Sequence, residues 1–384
     1  MTGPGSNTNT NFSDGIIEMS QKHLTEPPAS GKILIVGGYG QVGRSIAERL
    51  APLFPGRVTI AGRNQSKAKT AAAEIGHGAQ GRAVDLFAAD AGDALDDVAL
   101  ALVCLDQTGT HFVEQCLSCG IHYVDISADH AFLAQVEALD GFARTKGATA
   151  MLSVGTAPGL TNLLAARAKE KMEHPDRIDI LLESGLGDRH GQAAVEWFFD
   201  NLDAAYDVTE NGGSRQVRSF GESIALMLPG QSKKRAAYRF NFSDQHVIGR
   251  TLAIPSVSTW VRFEGRLATW LFALSSRAGL GRLLRRKFWR RLGVWLFMNV
   301  HMGSDICGVA VRARGRAGTG PDELTIGIVG RKEALMTAVI AAETTRQVLT
   351  AGPGPGVFHS EQAIALEPVI TALRNEYPDL VVAI

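Results

Sequence analysis

The sequence lacks the features that mark several classes of protein. Four cysteines in 384 residues are too few for a disulfide framework. Basic and acidic residues each number 39, so the net charge of +0 gives no general attraction to nucleic acid. The first thirty residues contain no signal-peptide core, and no apolar run is long and charge-free enough to span a bilayer. These absences predict a cytoplasmic globular protein without a nucleic-acid partner.

The cysteine spacing also gives little sign of redox chemistry or metal binding. Cys116 and Cys119 form a Cys-x-x-Cys pair, but the pair closes a predicted helix, whereas a thioredoxin motif opens one. No second Cys or His pair stands at zinc spacing. We therefore expect helix cysteines here, and the sequence predicts no metal site.

The most informative stretch is a glycine-rich turn between an apolar strand and a helix. Residues 33–36 are Ile-Leu-Ile-Val, the next residues match G-x-G-x-x-G, and apolar residues then recur at helical spacing. This order is typical of a dinucleotide-binding unit, in which the helix N-terminus attracts phosphate. Gly38 would allow the tight turn, Gly40 the approach of the pyrophosphate, and Gly43 the packing of helix on strand. The predicted cofactor contacts in this loop are Gly38, Tyr39, Gly40, Gln41, Val42 and Gly43.

The end of the second predicted strand favours NADP(H) over NAD(H). NAD sites usually place an acidic residue there to bind the ribose 2′-hydroxyl. This strand ends instead in Gly62-Arg63-Asn64, followed by Ser66 and Lys67. A guanidinium and a hydroxyl suit a 2′-phosphate, so we expect Arg63, Asn64, Ser66 and Lys67 to contact NADP(H). The alternative is that Arg63 is a solvated loop cation.

Strands and helices alternate as far as residue 154, which predicts a Rossmann doubly wound parallel sheet. Ligands of such sheets bind at the carboxyl ends of the strands. The remaining predicted cofactor contacts follow from that rule, and they are Asp85, Leu86, Cys104, Leu105, Ser127 and Gly155.

The second half of the chain has longer strands in which apolar and polar residues alternate. This pattern predicts an antiparallel sheet with one covered face, in an α+β domain inserted into the first. The predicted organisation is a disordered tail at 1–30, a Rossmann domain at 31–156, a substrate and dimerisation domain at 157–345, and a C-terminal segment at 346–384 that returns to the Rossmann domain. We expect a homodimer with a small-molecule substrate.

Together these landmarks resemble the saccharopine dehydrogenase (reductase)-like family. The resemblance rests on the glycine loop, Ala61-Gly-Arg63, His122-Tyr-Val-Asp125, Gly155-Thr-Ala-Pro-Gly-Leu160 and Pro355-Gly-Val357. It implies NAD(P)-dependent redox chemistry, often at a carbon–nitrogen bond of an amino-acid adduct. It also implies that residues 125–127 and 155–158 lie near the nicotinamide. Residues 105–107 depart from the family's small-residue–proline turn, and no dicarboxylate-binding set is apparent, so saccharopine itself is not expected as substrate.

Reduction of an imine or a carbonyl needs a proton donor near the nicotinamide. Asp106 and Asp125 follow predicted strands and are candidates, although either could simply cap a helix or turn. His190, beside Arg189, precedes a predicted helix, where a neutral imidazole could hydrogen-bond a substrate. The alternative for that pair is an ordinary surface loop.

Residues 266–300 contain eight Arg or Lys residues, no acidic residue and several Trp and Phe residues. This basic aromatic segment has four interpretations: packing in the core or a dimer, a substrate lid, peripheral contact with an anionic membrane, and nucleic-acid binding. The sequence thus supports two hypotheses. The first is an NADP(H)-dependent oxidoreductase acting on a C=N or C=O group of a small metabolite. The second is a non-catalytic nucleotide-binding protein held at lipid surfaces by this segment.

Overall fold

The computed structural model describes residues 31–88, 91–172, 174–188, 191–277, 279, 287–299, 303–315 and 322–384. The predicted tail, Arg189 and His190 lie outside these residues. In chain order the strands are β1 Lys32–Val36, β2 Val58–Gly62, β3 Gln80–Ala83, β4 Val98–Val103, β5 His122–Asp125, β6 Thr149–Leu152, β7 Pro175–Ser184, β8 Ala205–Glu210, β9 Gly213–Arg218, β10 Ser223–Leu226, β11 Arg235–Arg239, β12 Ser256–Phe263, β13 Ile306–Gly315, β14 Glu323–Arg331, β15 Gly356–His359 and β16 Val381–Ala383. The helices are α1 Gln41–Leu53, α2 Gln65–Ile75, α3 His111–Ser118, α4 His130–Glu137, α5 Asp140–Lys146, α6 Thr161–Lys171, α7 Gln192–Asn201, α8 Asp244–Thr251, α9 Arg266–Arg277, α10 Lys287–Asn299, α11 Glu333–Ala351, α12 Ser360–Ala363 and α13 Leu366–Glu376.

The first sheet is parallel throughout, with strand order β15-β6-β5-β4-β1-β2-β3. Its inner strand β1, which lies between β4 and β2, is almost entirely buried because helices cover both faces, as its unbroken apolar run predicts. The predicted Rossmann doubly wound sheet is therefore confirmed. The third strand ends at Ala83, so Asp85 and Leu86 lie in the loop that follows it and not at the end of the strand itself.

The second sheet is mixed, with order β10-β11-β12-β7-β13-β14-β16. Most of its pairs are antiparallel, but β12 runs parallel to β7 at the centre. Such a pair needs a long crossover, which here contains α7, the β8–β9 hairpin, β10, β11 and α8. The prediction of a purely antiparallel sheet is therefore wrong at this pair.

The prediction of one covered face is also wrong, because the alternating polar residues of β7 are buried. Asp179 and Glu183 are at most 1% exposed. Asp179 forms ion pairs with Arg312 at 2.7 Å and with Arg177 at 3.0 Å, while Glu183 pairs with buried Arg262. Alternation in β7 therefore marks charge pairs inside the protein, since buried charges persist only when paired.

The C-terminal region joins both sheets. Strand β15 extends the first sheet beside β6, whereas β16 pairs with β14 in the second sheet. The sequence analysis did not foresee this second pairing. Arg49 of α1 and Glu376 of α13 form an ion pair at 2.5 Å, which links the nucleotide domain to the end of the chain.

Among the helices of the described residues, none combines the length and hydropathy needed to cross a membrane.

Candidate functional site

A cavity of about 440 Å³ begins at the glycine loop and continues between the two sheets. One end is formed by the loop, the start of α1 and the residues that follow β4 and β5. The other end is formed by one face of β7 and β12 together with α7, α10 and the start of α11. The cavity therefore joins the predicted nucleotide edge to the second domain, which is the arrangement a two-substrate site requires.

The glycine loop is held in a conformation that side chains would disrupt. A Cβ at Gly38 would lie 2.6 Å from the Ile35 carbonyl oxygen, and one at Gly43 would lie 2.5 Å from the carbonyl oxygen of Gly37. Gly37 itself has φ +81°, which favours glycine. Gly40 is the N-cap of α1 and supplies no side-chain cap, and the first turn of the helix carries no acidic residue. This end of the helix suits a phosphate.

The end of β2 fits the 2′-phosphate of NADP. Arg63, Ser66 and Lys67 are exposed side by side there, at the start of α2. The Asn64 side chain caps that helix by accepting a hydrogen bond from the Lys67 N–H at 3.0 Å, so its oxygen is already used. The ring of Tyr39 lies where a Cβ at Gly62 would stand. Gly62 thus lets Tyr39 cover the strand end beside Arg63.

Asp106 follows β4 and lines the middle of the cavity. Partial burial raises the pKa of its carboxyl, and the carboxylates of Asp129 and Glu196 raise it further. A carboxyl with a raised pKa keeps its proton to higher pH, so Asp106 has the chemistry of a general acid.

Asp125, the second predicted acid, is fully buried and is not part of the cavity lining. Its carboxylate accepts hydrogen bonds from the Tyr123 hydroxyl, from Gln107 Nε2 at 2.9 Å and from the Ser127 N–H at 2.6 Å. Burial raises its pKa to about 7, against the lowering effect of these donors. Asp125 therefore holds Ser127 in the cavity lining and Gln107 next to Asp106. This placement corrects the prediction that its carboxyl meets the substrate directly.

The far end of the cavity is aromatic. Val261 and Phe263 of β12 share one face with Leu182 of β7, as alternate strand residues do. Trp197 and Phe198 of α7 close over them, and the Phe198 ring lies 5.8 Å from that of Phe263 and 6.2 Å from that of Phe297. Phe297 belongs to α10, so the basic aromatic segment supplies part of this wall.

Arg262 is the only Arg or Lys among the described lining residues, and its donors are already engaged. It pairs with Glu183, and its other nitrogens donate to the Leu226 carbonyl at 2.7 Å and to Gln231 Oε1 at 2.7 Å. The described wall therefore offers no available cation for a substrate carboxylate.

The structure brings together part of the predicted site. The predicted residues that line the cavity are Gly40, Gln41, Val42, Gly43, Cys104, Leu105, Asp106 and Ser127. The predicted residues outside the lining are Gly38, Tyr39, Arg63, Asn64, Ser66, Lys67, Asp85, Leu86, Asp125 and Gly155. Of these, Leu86 is buried in the core, and buried Gly155 packs against Thr337. Asp85 Oδ1 accepts the N–H of Phe87. His190 lies outside the described residues.

The sequence analysis missed the aromatic wall and the Gln107–Tyr123–Asp125 network. The run Trp197-Phe198-Phe199 was a visible signal for the wall, because three aromatic residues in one short helix cannot all avoid a cavity or core. Burial of the Cys104 thiol raises its pKa, so this cavity residue stays neutral.

Comparison with known proteins assigns the first domain to a family. Residues 33–151 match the saccharopine dehydrogenase NADP-binding domain. Saccharopine dehydrogenase (L-Glu forming) from Saccharomyces cerevisiae has a similar structure, with a TM-score of 0.60, 13% identity and coverage of 92% of this chain and 100% of that one. An amine dehydrogenase from Mycobacterium smegmatis covers 88% of this chain and 97% of its own, at 12% identity and a TM-score of 0.45.

No curated protein matches the sequence significantly. The structural likeness, at this low identity, shows a shared fold, while the domain match carries the cofactor and the class of reaction. It confirms the resemblance found in the sequence and the expectation of NADP(H). Residues 33–151 are therefore a saccharopine dehydrogenase NADP-binding domain, and the whole chain shares its fold with the saccharopine dehydrogenase from Saccharomyces cerevisiae.

Proposed function

We propose that this protein reduces a C=O or C=N group of a small, largely apolar metabolite with NADPH. The observation that carries the proposal is the single cavity that joins the glycine loop to the aromatic wall. When bound, NADPH supplies the hydride. The chain contributes the orientation of both partners, exclusion of water by the aromatic wall, and a proton.

The apolar substrate class follows from what the wall can bind. Burying an unpaired carboxylate among Trp197, Phe198 and Phe263 is costly, and Arg262 is held by Glu183 and cannot pair with it. An alkyl or aromatic body gains free energy in the same place, at about 25 cal/mol per Å² of apolar surface buried. The cavity therefore favours neutral substrates over amino-acid adducts.

Asp106 is the proposed proton donor. It lines the cavity that also contains the glycine loop and the aromatic wall, so it could donate a proton to the substrate oxygen or nitrogen on which negative charge develops. Its raised pKa keeps a larger fraction of the carboxyl protonated at a given pH than the ordinary aspartate pKa would. Asp125 supports this arrangement by fixing Gln107, the residue next to Asp106.

The test is a substrate panel. Purified protein is mixed with NADPH and with apolar aldehydes, ketones and cyclic imines, and oxidation of the cofactor is followed by absorbance. We expect turnover with at least one apolar class and none with dicarboxylic amino-acid adducts.

Two results would count against the proposal. Failure of NADPH to bind would remove the oxidoreductase itself. Tight NADPH binding without turnover of any carbonyl or imine would favour the alternative of a non-catalytic nucleotide-binding protein.

A further inference from the structure

Large apolar side chains are concentrated on the outer face of two neighbouring helices. Of the fifteen such exposed residues in the described part of the chain, nine lie on α9 and α10. Those on α9 are Leu267, Trp270, Leu271 and Leu274. Those on α10 are Phe288, Trp289, Leu292, Trp295 and Leu296. Scattered exposed hydrophobic residues need no explanation, but nine of them on two neighbouring helices mark an interaction surface.

The opposite face of each helix already packs against the protein. On α9, Thr269, Ala273 and Ser276 are buried, and the Thr269 hydroxyl donates to the Phe263 carbonyl at 3.1 Å. The rings of Phe272 and Phe297 lie 6.4 Å apart between the two helices. Helix α9 thus buries its inner side against the protein and carries large apolar residues on its exposed outer side. The outer side needs an apolar partner.

The charge around this face indicates which kind of partner it can bind. The whole stretch 266–300 carries eight basic residues and no acidic residue. Arg266 and Arg291 are exposed beside the apolar set, whereas Arg290 is tied to Asp200 at 2.8 Å and so anchors α10 to α7. A symmetric dimer through this face would bring the exposed Arg266 and Arg291 of the two copies to one interface, where like charges would repel. An anionic surface with an apolar interior complements both features.

The exposed tryptophans also favour an anionic surface with an apolar interior as the partner. Trp270, Trp289 and Trp295 are three of the five tryptophans of the chain. Tryptophan favours the boundary between lipid headgroups and acyl chains, and arginines beside it can bind lipid phosphates.

We propose that the outer face of α9 and α10 docks on the surface of an anionic lipid bilayer, with both helices lying in the plane of the interface. The inner side of the same helices carries Phe297, which lines the cavity. Docking would therefore hold the aromatic end of the cavity close to the acyl chains. The proposal stands independently of the reduction reaction.

The first test is flotation of the full-length protein with phosphatidylcholine vesicles, with and without phosphatidylglycerol. We expect binding to be at least about tenfold stronger with the anionic lipid and to weaken as salt is raised. Tryptophan emission should shift to shorter wavelength on binding.

A matched pair of variants locates the surface. Trp270→Ser combined with Trp295→Ser removes two exposed rings and should weaken vesicle binding by about tenfold or more. Leu53→Ser removes an equally exposed apolar side chain from α1 and should leave binding unchanged. NADPH titration checks that both variants are folded.

Three outcomes would overturn the proposal: no binding to anionic vesicles, equal binding by wild type and the tryptophan variant, or equal loss in both variants. Light scattering tests whether a second copy of the chain covers this face instead. A dimeric wild type that ignores vesicles, with a monomeric tryptophan variant, would assign the face to a second copy of the chain.

Discussion

The two ends of the cavity are built in different ways. At the nucleotide end, backbone conformation decides what binds: Gly37, Gly38 and Gly43 occupy positions where a Cβ would be strained or would collide with main-chain atoms. At the substrate end, side chains decide: Trp197, Phe198 and Phe263 come from separate elements and form a wall only after folding. The choice of cofactor therefore depends on residues that are close together in the sequence. The choice of substrate depends on side chains that come together only when the second domain is folded.

The sharpest test of this difference is Asp106, which lies between the two ends. Asp106→Asn removes the proposed proton donor and should lower kcat by at least about 100-fold, while NADPH affinity stays within about twofold. In the wild type, the protonated carboxyl is the donor, so reduction should be fastest below the raised pKa of Asp106 and should slow as pH rises through it. Steady-state kinetics across pH measure both effects.

Glu333→Gln is the matched control, because Glu333 also lines the cavity. A comparable loss of kcat in both variants, or a loss of NADPH affinity in Asp106→Asn, would contradict the assignment.

At the nucleotide end, a single added methyl group should weaken the binding of NADPH. Gly43→Ala places a Cβ 2.5 Å from the Gly37 carbonyl oxygen, so the loop or α1 must shift. Overpacking of this kind costs about 1–3 kcal/mol, and we expect NADPH to bind about 10- to 100-fold more weakly in a fluorescence titration.

Gly141→Ala is the control, since a Cβ at Gly141 meets no other atom within 4 Å. Equal NADPH affinity in the two glycine variants would show that the tight loop is not needed for binding.

Arg63 tests cofactor choice at the same end. Arg63→Ala removes a charged hydrogen-bond donor from the proposed 2′-phosphate position and should weaken NADPH binding by about tenfold or more. NADH, which has no 2′-phosphate, serves as the internal control and should be unaffected. If both cofactors lose affinity equally, Arg63 does not bind the 2′-phosphate.

The substrate end predicts a dependence on chain length. Each methylene buried against the aromatic wall contributes about 0.8 kcal/mol, so kcat/KM for a series of n-alkyl aldehydes should rise about fourfold per methylene until the cavity is filled. If kcat/KM stays the same along the series, the aromatic wall does not bind the substrate body.

The smallest expected effect is on the pH dependence of the stability of the protein, through the buried carboxyl of Asp125. The pKa of Asp125 is about 7 in the folded protein, above about 3.9 in an unfolded chain. Its contribution to stability is therefore fully present below the unfolded value and is lost as pH rises through about 7.

Asp125→Asn removes that titration. Relative to wild type, the variant should gain a few degrees in Tm between pH 5 and pH 8, on the order of 3 °C. Thermal melts at the two pH values measure this shift. If the difference in Tm between the variant and the wild type is the same at pH 5 and at pH 8, Asp125 does not titrate in the folded protein.

The first sheet and the NADP(H) cofactor could be predicted from the sequence, because both depend on short stretches such as residues 32–50 and 57–67. The presence of a second domain could be predicted from the longer, alternating strands in the second half of the chain. The second sheet was harder to predict. Asp179 and Glu183 alternate with apolar residues as solvent-facing residues do, yet both are buried by arginines distant in sequence. The aromatic wall could not be assembled from sequence, since Trp197, Phe263 and Phe297 are far apart in the chain.

We propose that the second domain binds an apolar substrate body, because the described wall of the cavity offers a carboxylate no available cation. The most direct measurement is kcat/KM with NADPH for an n-alkyl ketone and for its analogue of equal length that ends in a carboxylate. We predict that the alkyl ketone is preferred by at least about 100-fold, because the carboxylate would be buried unpaired. An equal or higher kcat/KM for the carboxylated analogue would contradict the account.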